Sequence, residues 1–307
     1  LKHHRRLHQI VATLVRFGAQ DVLLRLGLGR LLVDVNAEPG ESLPASTPQR
    51  VRMALEALGP TFIKCGQILA SRRDILGPEW VNELQALHSQ ASTLPWAELE
   101  AQVLEDLGCG LDQVFAEFDT QPLAAASMAQ VYLARLLSGE AVVVKVQRPG
   151  LRHTMTADLQ LLESLAQLVE QNAALAVYQP RQMVRQLARA MLEELDFTQE
   201  GQNGDSIAQN FAQTPHIVIP RIYWAFSSQR LLVQEFLPSF TPLARDALIE
   251  QGLDPGLLAR RGARAFIKML LEDGLFHGDP HPGNLRAMSD NRVGFIDFGM
   301  VGRLDER

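Results

Sequence analysis

One short stretch near the end of the 307-residue chain carries the densest chemistry: His277-Gly278-Asp279-Pro280-His281-Pro282-Gly283-Asn284, followed by Asp297-Phe298-Gly299. Phosphoryl transfer needs an acid that receives or orients the proton of the nucleophile. It also needs an Asn and a second Asp that hold magnesium against the phosphates. Asp279 and Asn284 have four residues between them, and Asp297 lies 13 residues beyond Asn284. That spacing matches the catalytic-loop acid, the loop Asn and the D-F-G aspartate of kinase-type scaffolds. Pro280, Pro282 and Gly283 forbid a helix, so Asp279 and Asn284 project from a rigid loop. D-F-G alone is three common residues; joined to D-x-x-x-x-N it is specific. A second reading makes His277, Asp279, His281 and Asp297 a transition-metal cluster, but it leaves Asn284 and the features upstream without a use.

A kinase-type scaffold demands more upstream. Val142-Val143-Val144-Lys145 ends a predicted strand, at the position whose lysine contacts nucleotide phosphates. A lysine in a Val-rich run is also what an edge strand carries to stay soluble; the catalytic loop downstream favours the first reading. Such a lysine needs a helical carboxylate, and Glu193, Glu194, Asp196 and Glu200 are the candidates, which otherwise read as a solvated acidic helix face. The predicted strand 230–236 lies between that helix and the loop, so Gln234, Glu235, Phe236 and Leu237 form the candidate hinge presenting backbone groups to adenine. Two features depart from ordinary kinases. The loop that should cover the phosphates reads Leu123-Ala124-Ala125-Ala126-Ser127-Met128-Ala129, without the glycines that permit positive φ and close backbone approach. Gly278 replaces the Arg of H-R-D, which removes one partner for a phosphorylated activation loop.

These groups must be held by a folded core, and the composition provides one. Apolar residues make up 47% and charged residues 21%, a globular balance that excludes wholesale disorder. At roughly 150 residues per domain the length fits two domains or one two-lobed domain with an extension. Cys65 and Cys109 are the two cysteines, too few for a disulfide framework or a C-x-x-C metal site, which favours a reducing, cytoplasmic compartment. No run of about 18 apolar residues occurs, so no transmembrane helix is expected. The net charge is −6, yet residues 1–30 hold six Lys/Arg against Asp21 alone. The acidic remainder argues against nucleic acid as a partner. The chain begins without Met and stops within a charged stretch, so it reads as a fragment.

Residues 1–35 form a basic amphipathic segment in which Leu7, Ile10, Val11, Leu14 and Val15 recur at helical spacing. It fits a helix packed on the protein, or one lying on an anionic membrane surface. Residues 36–49 read as a linker. Residues 50–110 are helical, with breaks at Gly59-Pro60, Gly77-Pro78 and Leu94-Pro95. Residues 111–237 form the N-lobe of a kinase-like unit, with strands at 113–118, 130–137 and 140–147, the last two joined by Ser138-Gly139. Helices over 154–175 and 180–203 and strands over 217–225 and 230–236 follow. Residues 238–307 give a partial C-lobe with helices 242–252 and 255–274 and a hairpin of 285–288 with 293–297.

Six ordered stretches, LGPTFIKCGQILASRRDIL (58–76), FDTQPLAAASMAQVY (118–132), VVVKVQRPG (142–150), EELDFTQEGQN (193–203), HGDPHPGN (277–284) and IDFGMVGR (296–303), resemble the UbiB (AarF-domain) family of atypical protein-kinase-like proteins. The resemblance implies an α+β, protein-kinase-like two-lobed fold with a family-specific N-terminal helical extension and a truncated C-lobe. It makes Lys64, Gly66 and Gln67 the family's KxGQ element, on a helix that covers the peptide site of protein kinases. Glu194 and Asp196 match the ExD element expected to pair with Lys64, and Glu200 the glutamate expected to pair with Lys145. Ala124, Ala125, Ala126 and Ser127 match the alanine-rich loop. Cys65 stands where the family more often has a large apolar residue, and HSQAST (88–93) departs from a Pro-containing stretch. Implied with these are ATP or ADP and Mg2+ as cofactors, and ATPase or small-molecule kinase activity supporting isoprenoid quinone (ubiquinone-type) biosynthesis. Implied partners are a lipid or quinone-precursor ligand, quinone-biosynthesis enzymes and an anionic membrane surface, with the protein peripheral at the inner face of a membrane. The rival readings are a soluble phosphotransferase of the aminoglycoside or choline kinase type, and a nucleotide-binding scaffold without chemistry.

Overall fold

The computed structural model describes residues 2–32, 45–70, 76–88, 93–239 and 245–304. In chain order its helices are α1 (Lys2–Arg16), α2 (Gln20–Arg25), α3 (Thr47–Leu58), α4 (Pro60–Ala70), α5 (Pro78–Gln85), α6 (Trp96–Leu107), α7 (Leu151–Val169), α8 (Ala173–Ala176), α9 (Pro180–Glu193), α10 (Phe197–Asn210), α11 (Arg245–Glu250) and α12 (Pro255–Leu271). Its strands are β1 (Phe115–Phe118), β2 (Ala124–Ala125), β3 (Ala129–Leu136), β4 (Ala141–Gln147), β5 (Ile217–Val218), β6 (Leu231–Glu235), β7 (Leu275–His277), β8 (Leu285–Ala287), β9 (Val293–Phe295) and β10 (Val301–Arg303). The chain forms two compact units: Leu1–Ser92 with Ala125–Met128 and Gly150–Glu193, and Thr93–Ala124 with Ala129–Pro149 and Glu194–Arg307. No described helix is long and apolar enough to cross a membrane.

The first unit is built from helices. The apolar stripe of α1 is used inside it: Ile10 packs with Leu58, Phe62 and Leu161, and Val11 with Leu23, Leu28 and Val169. The basic N-terminal segment is therefore a packed helix, broken from α2 at Gly18 (φ +66), with His4, Arg5, His8 and Arg16 left exposed. Arg6 anchors it. Its guanidinium donates to both carboxylate oxygens of Asp158 at 2.7 and 2.9 Å and to the Leu58 carbonyl at 3.0 Å. Most of the expected 36–49 linker lies outside the described residues, but its end is the start of α3. Ser46 and Gln49 form a capping box there, a signature of two reciprocal side-chain bonds to otherwise unpaired helix N–H groups. Gly66 of α4 is a point of close approach: a Cβ there would collide with Leu87 and stand 3.0 Å from Leu55. Cys65 is buried, its Sγ 3.7 Å from Met191 Sδ, and burial pushes its thiol up to about 12, as befits a packing residue.

Among its described residues the second unit carries three sheets. In the largest, strands run β1-β3-β4-β6 in antiparallel neighbours. The β3–β4 hairpin turns at Gly139, whose φ of +101 explains the glycine. Val142, Val144 and Val146 point to a core shared with Leu99 and Val103 of α6, so by strand alternation Val143, Lys145 and Gln147 occupy the opposite face. The smaller sheets are β5-β9-β8 and β10-β7; Phe295, Phe298, Met269 and Ile207 lie in the core beneath them.

Three sequence expectations change. The helix expected over 180–203 is two, α9 and α10, because Asp196 leaves helical geometry (φ −106, ψ 95) and caps the second by accepting from the Thr198 N–H. Of the strand expected over 217–225, Ile217–Val218 forms β5 and Ile222 makes an isolated bridge to Gln234, with Pro220 between them and a 3-10 turn at Trp224–Phe226. The helix expected over 154–175 starts earlier and ends at Val169, followed by the one-turn α8.

Candidate active site

Lys145 lies on a central strand, opposite Val131 of β3 and Leu232 of β6, so the edge-strand explanation for this lysine fails. Its Nζ donates to both oxygens of Glu200 in the first turn of α10, at 2.7 and 2.9 Å, stands 3.8 Å from Asp297 Oδ2, and lies over the Phe197 ring. Burial alone would lower the affinity of this ammonium for its proton, but Asp297 and Glu200 outweigh it and hold the group well above its ordinary range. Burial pushes the Glu200 carboxyl up to about 7, against the pull of Lys145. Of the four candidate carboxylates, Glu193 ends α9 and is exposed, Glu194 precedes the cap, and Asp196 is the cap itself.

Asp297 has φ +61, a left-handed backbone that non-glycine residues adopt at a cost and that concentrates at functional sites. The turn is held by the Gly299 N–H on Asp297 Oδ1 at 3.2 Å and by Asn203 Nδ2, which donates to the Phe298 carbonyl at 3.1 Å. Phe298 is buried, 3.3 Å from where Gly204 would carry a Cβ.

The 279–284 loop is non-helical up to a 3-10 turn at Pro282–Asn284. Asn284 Nδ2 donates to the Asp279 carbonyl at 3.1 Å and faces its carboxylate at 3.4 Å, which leaves the amide oxygen of Asn284 as its donor to a cation. That oxygen and the Asp297 carboxylate are hard ligands of the kind magnesium takes, so the residues present fit the ion. The transition-metal reading fails: among the described residues no group of three or more His, Cys, Asp or Glu is placed to hold a metal. His277 is 1% exposed with both ring nitrogens engaged. Nε2 faces the Ile296 carbonyl at 3.0 Å, and Nδ1 accepts from the Asp279 N–H at 3.1 Å. One neutral tautomer satisfies both, so His277 braces Asp279, a role the sequence reading missed. Gly278 also gains a reason. A Cβ there would stand 3.0 Å from the Met300 carbonyl oxygen, which accepts from the Gly278 N–H at 2.8 Å, so a side chain at 278 would press on the backbone of the facing segment.

In the hinge run Gln234–Leu237, the Glu235 and Phe236 N–H groups donate to the Arg221 and Ala141 carbonyls at 2.9 and 3.0 Å. Among the described residues the Leu237 N–H has no backbone acceptor. The alanine stretch is divided between the units, Ala124 in the second and Ala125, Ala126 and Ser127 in the first. None of the four has positive φ, and Ala124–Ala125 run as a short strand. Lys64, Gly66 and Gln67 lie on α4 of the first unit, where Gln67 Nε2 donates to the Leu87 carbonyl at 3.1 Å. Glu194 and Asp196 belong to the second unit.

A lysine–glutamate pair on a central strand, a braced acid–asparagine loop and a D-F-G turn define a protein-kinase-like domain. The profile of the ABC1 atypical kinase-like domain matches residues 86–307, and the chain belongs to that family, the UbiB/AarF family. Three uncharacterised proteins of Synechocystis sp., sll0005, sll1770 and slr1919, are 37%, 38% and 39% identical to it over 83% of its length. The chain spans 37%, 44% and 45% of those proteins. Among solved structures it is similar to Rv3197 of Mycobacterium tuberculosis, in its complex with erythromycin. The TM-score is 0.59 at 27% identity, covering 78% of this chain and 59% of the other.

Proposed function

We propose that this chain is an atypical kinase-like ATPase or small-molecule kinase that uses magnesium and ATP and supports isoprenoid quinone (ubiquinone-type) biosynthesis at the inner face of a membrane. The observation that carries the reading is the convergence of Lys145, Glu200 and Asp297 within one unit that also holds the Asp279–Asn284 loop. Lys145, held by Glu200, balances the charge of the α- and β-phosphates. Asp279 takes the proton of an attacking water or alcohol as its oxygen bonds the γ-phosphorus, while the bond to the β–γ bridging oxygen breaks and ADP leaves. Magnesium on Asn284 and Asp297, when bound, neutralises charge on the phosphate oxygens. The exposed Arg5 and Arg16 of α1 support electrostatic attraction to anionic lipid rather than insertion, because the apolar face of the helix is already packed. A small-molecule rather than peptide acceptor gains support from the erythromycin complex of Rv3197.

The test is magnesium-dependent ATP turnover by the purified protein, with and without anionic liposomes, beside Asp297→Asn. Turnover stimulated by lipid and abolished by the substitution is expected. Nucleotide binding without turnover, in lipid or out, overturns the catalytic reading in favour of a scaffold.

A further inference from the structure

On kinase scaffolds the helix that carries the lysine's glutamate is a control element, active only when its position brings the pair together. Here the start of that helix is tied to the strand that carries the lysine. Gln147 lies two residues beyond Lys145 on β4 and shares its face of the sheet. It is 2% exposed, and its Nε2 donates to the Leu195 carbonyl at 2.7 Å, one residue before the Asp196 cap of α10. The main chain of Gln147 is itself braced on both sides. Its N–H donates to the Arg230 carbonyl at 2.9 Å, and its carbonyl accepts from Gln102 Nε2 at 2.8 Å. The side-chain amide is thus a strut from a fixed point of the sheet to the first residue of the helix approach.

We infer that Gln147 is a positioning residue that holds α10 in the register at which Glu200 meets Lys145. Two side chains on one strand face hold points five residues apart, Gln147 the Leu195 carbonyl just before the cap and Lys145 the Glu200 carboxylate in the first turn, so α10 can neither rotate nor slide without breaking one of these contacts. The Phe197 N–H on the Gln229 carbonyl at 3.0 Å secures the same turn, and its ring is buried with Ala129, Ile222 and Leu232. The pair is built in rather than assembled by a signal. The kinetic part of this inference rests on the proposed phosphotransfer; the positional part does not.

Gln147→Met keeps length and burial and removes the donor. Hydrogen exchange of the 195–201 amides is expected to rise about tenfold while α12 is unchanged. Turnover per folded molecule should drop about tenfold in kcat with KM for ATP within about twofold. In a Glu200→Gln background the same change should cost less than about twofold more, because both act through one pair. Unchanged exchange at 195–201, or losses that simply multiply, overturns the inference. A wild-type protein without turnover would defeat the phosphotransfer reading, while the exchange result would still judge Gln147. Gln102→Met, which loosens the brace without touching the buried amide, covers the case in which Gln147→Met does not fold. Exchange at 195–201 should then rise about threefold, and no rise counts against the role.

Discussion

The side chains of Lys145 and Glu200 are 18% and 7% exposed, whereas that of Asp297 is 49% exposed and Asp279 stands in solvent. The first pair is held by side chains in a core, by a bidentate ion pair, a neighbouring ring and a capped helix. The second set is held by backbone: a proline-bounded loop, a left-handed turn and a histidine that bonds a main-chain N–H. A buried ion pair is part of the fold as well as of the site, so breaking it by halves is costly. Exposed carboxylates held by their backbone can be altered without disturbing the core and remain open to a ligand.

That contrast can be broken first at its exposed end. Asp279→Asn and Asp297→Asn are expected to lower ATP turnover on the order of 10²–10⁴-fold, with the thermal midpoint essentially that of the wild type for Asp279→Asn and only slightly lowered for Asp297→Asn, which removes a charge facing Lys145. A large loss of stability in either would refute the division. Lys145→Met, at the buried end, should cost both: turnover, and about 3 kcal/mol of stability in denaturant titration, because Glu200 loses its partner in place. Denaturant curves that coincide with the wild type would show that the pair is not part of the fold.

The pH dependence sharpens the comparison. Glu200 is raised to about 7 from an ordinary value near 4.3. Its contribution to stability is therefore full below about 4.3 and is lost as pH rises through about 7. Turnover runs the other way, because Lys145 is held by the ionised form, and should climb as pH rises through about 7. Glu200→Gln should flatten both profiles; a rate profile with the same acid limb in that variant would assign the limb elsewhere. The smallest effect is expected from Gly201→Ala on α10. A Cβ there would stand 2.6 Å from Trp224, so the ring must shift, for about 1–2 kcal/mol. Trp224 also donates to Asp205 at 2.7 Å, and a melting curve that does not move would mean that the ring yields freely.

What could be read from the sequence follows range. Asp279, Asn284 and Asp297 declare themselves by spacing within 19 residues, and the β3–β4 hairpin by Ser138-Gly139. The breaks at Gly59-Pro60, Gly77-Pro78 and Leu94-Pro95 likewise fall between the observed helices α3 to α6. The choice among four carboxylates was not open to spacing, since Lys145 and Glu200 are 55 residues apart; only family resemblance singled out Glu200. The strut from Gln147 to Leu195 and the bond from Asn203 to Phe298 join residues 48 and 95 apart and leave no local mark. The missed break between α9 and α10 did leave one: Asp196 followed by Thr198 and Glu200 is a helix start, masked by an acidic run that reads equally well as a continuous helix face.

The left-handed backbone at Asp297 also governs how this position can decay. Asn and Gly enter that conformation with little penalty, while Ala, Val or Ile bring strain of their own. If the proposed phosphotransfer holds, a lineage that abandoned it while keeping the fold would therefore drift to Asn or Gly here, and a relative reading N-F-G or G-F-G would mark that loss with the architecture intact. For the same reason an alanine at 297 conflates a lost charge with a strained turn, whereas asparagine removes the charge alone.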